Sequence, residues 1–165
     1  MGAEFGYPKP AHFLYEPWSV NSYTRDNAHT GGSFGLVGTA EDYWRFAQMM
    51  ANGGVLDGQR ILSPNTVRFM TQDHRSFLFD THSSENAQGI GWGLGFAITK
   101  NPAAAGMMSS EGTFFWHGAA ATTFWVDPVK DMVVIAMSQH MGSDRADLGA
   151  LVPEVRALVY AALME

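Results

Sequence analysis

The chain of 165 residues has the length of one domain, and its 46% hydrophobic content, with 11 Phe, 5 Trp and 5 Tyr, is ample for a core. A formal net charge of -6 with only 10 Lys and Arg gives no basic footprint for nucleic acid or an acidic membrane surface. The absence of cysteine excludes disulfides, thiolate nucleophiles and thiolate metal sites, and leaves the compartment open. The first residues, Met1 to Pro8, carry neither the basic patch nor the apolar run of a secretory signal, and no apolar run approaches a membrane span.

One domain is expected over 1–165, in three regions. Residues 1–38 are rich in Pro, Gly, Asn, Ser and Tyr without sustained periodicity, which predicts extended or looped structure. So long a loop in a compact domain lines a site or belongs to something larger. The region 39–72 is helical. Thr39 is the expected cap of a helix with Asp42 as its third residue, and Tyr43, Phe46, Ala47 and Met50 recur at helical spacing until Asn52-Gly53-Gly54. Tyr43 and Trp44 are expected in core and interface. Leu56-Asp57-Gly58-Gln59 reads as a turn, and Ser63-Pro64 opens a short helix containing Val67, Phe69 and Met70.

Residues 73–90 read as a surface loop. The region 91–165 holds strands and a C-terminal helix. Gly93–Thr99 alternates Leu94, Phe96 and Ile98 on one face, Thr113–Trp116 and Thr122–Val126 are aromatic and β-branched, and Met132–Met137 is nearly all apolar. The turn Asp127–Asp131 makes the last two an antiparallel hairpin. A helix over about 146–163 carries Leu148, Leu151, Val152, Val155, Leu158 and Val159 on one apolar face, which a sheet or helix must cover.

Gly31-Gly32-Ser33-Phe34-Gly35 fits G-x-S-x-G, the pattern of a nucleophile elbow. The elbow needs a buried strand before the serine and a helix directly after it. Here Arg25 to Thr30 is too polar for that strand and the helix starts late, at Thr39, so a catalytic Ser33 is not expected. The glycines serve a tight turn instead. His74, Asp80 and His82 match no helical or zinc-ribbon ligand spacing, so no metal or other cofactor is expected.

From Gly31 onward the order of segments is distinctive: GGSFGLVGTAEDYWRFAQMMANGGVLDGQRILSPNTVRFM, then GWGLGFAI, then GTFFWHGAAATTFWVDPVKDMVVIAMSQ. Over about residues 31–163 this strongly resembles the C-terminal half of the serine β-lactamase and penicillin-binding-protein-like family, in its class C β-lactamase and family VIII carboxylesterase branch. The resemblance implies an α+β fold, an antiparallel sheet packed by a C-terminal helix with lid-side helices and long loops. That is part of a β-lactamase/transpeptidase-like fold.

Family members carry Ser-x-x-Lys, Tyr-x-Asn or Tyr-x-Ser, and a late Lys-Thr-Gly or a variant such as His-x-Gly or Trp-Gly-Gly. The resemblance places Trp116-His117-Gly118, followed by Ala119, at the third motif, with His117-Gly118-Ala119 as the alternative register. By resemblance, Ala119 would give an N–H to an oxyanion and Trp116 or His117 would line the pocket and orient an acyl group or its carboxylate. The alternative reading is that the pair packs in an aromatic strand, with His117 hydrogen-bonded at the sheet surface.

Neither Ser-x-x-Lys nor Tyr-x-Asn/Ser occurs in the chain, so the covalent step has no evident agent. The remaining sheet is expected to have three antiparallel strands, with an open edge and a partly uncovered face. The expected partners are therefore the missing N-terminal portion of the fold or a second copy, by domain swap, with a small ester or amide as substrate of the intact enzyme. The competing reading is a non-catalytic module that binds a ligand or a peptide added to the open edge.

Overall fold

The computed structural model describes residues 38–75, 88–118, 120–138 and 145–163, all in the unit Gly38–Glu165. Ser33, Asp80, His82, Ala119 and the looped region expected before Gly38 lie outside the described residues.

Helix α1 runs Ala40–Ala51 and begins where local chemistry requires. Thr39 Oγ1 accepts the Asp42 N–H at 3.1 Å while the Asp42 carboxylate accepts the Thr39 N–H at 2.8 Å, so two donors with no partner inside the helix are satisfied reciprocally. The Thr39 N–H, then its hydroxyl, hold the Asp42 carboxyl below its usual range. Thr39→Ala, which removes the cap, is expected to lower the melting temperature by about 3 °C, measured by far-UV circular dichroism. The helix ends at Asn52, whose N–H returns to Gln48 O at 2.9 Å.

Asp57 and Gly58, at φ of 50° and 76°, form the expected turn. It joins two short antiparallel strands, β1 (Val55–Leu56) and β2 (Gln59–Arg60), that the turn chemistry alone did not reveal. Helix α2, Pro64–Met70, starts as expected with Ser63 Oγ accepting the Thr66 N–H at 3.0 Å and proline in the first turn.

The main sheet departs from expectation. The segment read as one strand over 93–99 is a turn followed by β4 (Ala97–Thr99), which pairs antiparallel with β3 (Ile90–Trp92) just before it. The turn forms because Leu94 N–H donates to Met70 O at 2.8 Å and Gly95 adopts φ 90°. Gly93 permits this approach: a Cβ there would lie 2.2 Å from Met70 O. Leu94, expected on a buried face, is 47% exposed. A short helix α3, Pro102–Ala105, capped by the Asn101 side chain, then leads to β5 (Phe114–His117), β6 (Thr123–Asp127) and β7 (Met132–Ala136). The order β3-β4-β5-β6-β7 is antiparallel throughout, so among the described residues the sheet has five strands where three were expected.

Strand alternation sorts the side chains into two cores. Phe114, Phe124, Val126, Val133 and Ile135 face α1 and α2, meeting Ala47, Met50 and Val67. Phe115, Trp125, Met132 and Val134 face helix α4 (Arg145–Ala162), meeting Val155, Val159 and Tyr160. Leu158, expected on the apolar face of α4, is 72% exposed. The hundred-degree step of a helix puts Val155, Arg156, Val159 and Tyr160 on one face toward the sheet and Leu158 on the other side. In its place the sheet receives Arg156, buried, with its guanidinium 4.7 Å from the Phe115 ring and 4.8 Å from the Trp125 ring. Burial lowers the Arg156 pKa, and the charges of Tyr160 and Asp127 oppose that shift.

Asp127, also buried, ties α4 to the β6–β7 turn. Its carboxylate accepts N–H groups from Ser110, Val129 and Lys130 at 3.1, 3.0 and 3.1 Å and the hydroxyl of Tyr160.

Candidate functional site

The segment Trp116 to Gly118 stands at the end of β5. All four residues of β5 pair with β6, Trp116 opposite Phe124 and His117 opposite Thr123. Against β4 only Phe114 and Phe115 pair, so Trp116 and His117 project past its end. Gly118 N–H donates to Thr122 O at 2.8 Å, toward β6. Successive residues of a strand send their peptide groups to opposite sides, so the N–H and C=O of His117 face the side that β4 has vacated. A backbone donor and acceptor thus stand at an open edge, available to a bound group.

The turn after His117 is tightly braced. Ala121 N–H donates to Gly118 O at 3.1 Å and Ala121 takes φ 59°, a conformation forced by the closeness of β5 and β6. Ser138 Oγ donates to Ala120 O at 2.7 Å, fastening the turn to the chain beyond β7. A Cβ at Gly118 would come within 2.8 Å of Thr122 Oγ1, so glycine lets the two arms close.

Beside this turn lies a cavity of about 300 Å3. Its walls come from Tyr43 on α1, Trp116 to Gly118, Thr122 to Phe124 of the β6 arm, and Ile135 and Met137 at β7. Burial raises the Tyr43 pKa, keeping the phenol neutral, and its ring packs edge-on against Phe124 at 5.0 Å. Trp116, 44% exposed, packs edge-on against Trp92 at 4.6 Å and stacks on His117 at 5.1 Å.

Trp116, His117 and Gly118 are therefore brought together on one cavity, and Ala119 is outside the described residues. Tyr43 and Trp44, expected in core and interface, are 39% and 44% exposed. Sequence reasoning missed Tyr43, Ile135 and Met137 as cavity residues. Their apolar periodicity was visible, but which end of each element meets the β5–β6 turn was not. His74, considered as a metal ligand, pairs its Nε2 with Phe69 O at 2.7 Å, and no group of three potential ligands occurs among the described residues. No helix among the described residues is long and apolar enough to cross a membrane.

The Beta-lactamase family model matches residues 4–157. The chain belongs to this family. It is 36% identical over 124 residues to Protein Rv1367c of Mycobacterium tuberculosis (strain ATCC 25618 / H37Rv), a match covering 72% of this chain and 31% of that protein. It is 30% identical over 117 residues to a putative D-alanyl-D-alanine carboxypeptidase of Escherichia coli O157:H7, covering 70% of this chain and 25% of the other. Among solved structures, EstCE1, a hydrolase with promiscuous acyltransferase activity, superposes with a TM-score of 0.64 at 26% identity, over 85% of this chain and 34% of that one. The chain thus spans about a third or less of the length of these relatives, and its architecture is a partial β-lactamase/transpeptidase-like fold.

Proposed function

We propose that this chain supplies one wall of a β-lactamase-like serine hydrolase site, which cleaves an ester or amide through an acyl-serine. The observation that supports this reading is the open backbone of His117 beside the cavity, in the segment whose sequence resembles the family's third motif. A donor at such an edge can receive the charge that grows on a carbonyl oxygen as it is attacked. Trp116, His117 and Gly118 form the wall, and the family resemblance gives Ala119 the role of a further oxyanion N–H donor. The nucleophile and its base belong to a Ser-x-x-Lys that this sequence does not contain.

The partner in this reading is the remaining portion of the fold or a second copy of the chain. Support comes from β7, last in the sheet order, which pairs with β6 on one side only among the described residues.

Purified alone, the 165-residue chain is expected to show negligible turnover of nitrocefin and of short p-nitrophenyl esters, and no labelling by a fluorophosphonate. Robust turnover abolished by Ser33→Ala would overturn the reading, since the nucleophile would then lie within this chain.

A further inference from the structure

Two buried donors lie together without an acceptor. Arg156 on α4 and Trp125 on β6 are 3% and 0% exposed, and neither Arg156 Nη1 nor Trp125 Nε1 has a hydrogen-bond partner among the described residues. The groups that carry them touch, with the guanidinium carbon 4.8 Å from the centre of the Trp125 ring. A buried donor left unpaired is costly, and more so on a charged group, so two at one place call for an acceptor they share.

Asp127 is not that acceptor. Its charge acts on Arg156, yet its carboxylate takes the N–H groups of Ser110, Val129 and Lys130 and the Tyr160 hydroxyl, while Arg156 Nη1 is left unpaired. A water molecule suits the place poorly. Accepting both N–H groups, it would bring two protons of its own among the rings of Phe115 and Trp125. An anion accepts without donating and also pairs the guanidinium charge. It must be small, since both partners are almost wholly enclosed.

We propose that Arg156 and Trp125 form a binding site for a monatomic halide such as chloride, which fastens α4 to the sheet. The ion accepts from Arg156 Nη1 on the helix and from Trp125 Nε1 on the strand, and so bridges the two elements. No covalent step is involved. The site stands on the α4 face of the sheet, whereas Phe124 and Ile135 of the cavity stand on the α1 face, so either reading can fail without the other.

Sodium chloride is titrated into the 15N-labelled 165-residue chain at constant ionic strength, with gluconate, too large to enter, as the balancing anion. The titration is run at about pH 6, where arginine is charged and carboxylates are ionised. The Trp125 indole and Arg156 guanidinium N–H signals are expected to move along one saturable curve, and bromide to act likewise. In Trp125→Phe, which removes one donor, the curve at Arg156 is expected to shift to roughly tenfold higher concentration. In Arg156→Met the indole is expected not to respond. The melting temperature of the unaltered chain is expected to rise from gluconate to chloride, and that rise to vanish in Arg156→Met. Amide dispersion reports whether each variant folds, and agreement of the two signals in the unaltered chain decides if one does not. Signals that do not saturate, or that follow different curves, would overturn the proposal and leave the donors to water. An unchanged curve in folded Trp125→Phe would do the same, since the ion would then sit elsewhere.

Discussion

Trp125→Ala is expected to cost about 3–5 kcal/mol, enough to unfold much of the chain at 37 °C. Trp125 is completely buried in β6, a strand paired on both sides, between β5 and β7. Its ring stacks with Tyr160 at 6.5 Å and lies under the Arg156 guanidinium at 4.8 Å. Truncation would remove the surface on which α4 sits and strand a buried cation that has lost one of its two rings. The Arg156 Nη1 and Trp125 Nε1 already lack hydrogen-bond partners among the described residues. Trp125→Phe gives the contrast. It keeps a ring and deletes an unpaired N–H, so its expected cost is about 1 kcal/mol. Urea midpoints followed by far-UV circular dichroism check both. Equal midpoints for the two variants would show that α4 is held by something other than this ring.

Asp127→Ala is expected to be nearly as damaging, at about 2–4 kcal/mol near neutral pH. Three backbone N–H groups and the Tyr160 hydroxyl converge on one carboxylate, and truncation leaves these donors facing an apolar gap. Burial alone would push this carboxyl up. The hydroxyl of Tyr160, the Ser110 bond and the N–H groups of Lys130 and Val129 outweigh it, and the net pKa is lowered. Tyr160 moves the other way, raised by burial and then by its bond to this carboxylate.

The sign of the pH effect follows. A carboxyl whose folded pKa lies below its unfolded value contributes its stability in full above the unfolded pKa, and loses it as pH falls through the folded one. The gap in melting temperature between the unaltered chain and Asp127→Asn is therefore expected to be widest near pH 7 and to close below about pH 4. A gap that stayed constant from pH 7 to pH 3 would mean that the charge on Asp127 contributes nothing.

Much of this was legible along the chain, and the reasons are local. Thr39 with Asp42, Ser63 with Pro64, and Asp57-Gly58 each satisfy or bend their own neighbourhood, so three or four residues suffice to place an element boundary. The β6–β7 hairpin was legible for the same reason, since its turn and both strands are contiguous. The Gly93–Thr99 segment misled because Leu94, Phe96 and Ile98 alternate as a strand should. What bends the chain there is Met70 O, a carbonyl from a distant helix.

The candidate site divides along the same line. Composition and residue types determined by themselves that no thiolate chemistry is possible, and that neither Ser-x-x-Lys nor the tyrosine motif is present. The family resemblance marked Trp116 to Ala119 as the segment to watch. Only the tertiary structure decided that β4 ends two residues short of His117, that Tyr43, Ile135 and Met137 close a cavity beside it, and that Arg156 lies between two rings beneath the sheet. Capping, turns and residue chemistry act over a few bonds and can be read in order. The length of one strand against its neighbour and the walls of a cavity depend on residues far apart in sequence, which meet only when the apolar faces are buried together.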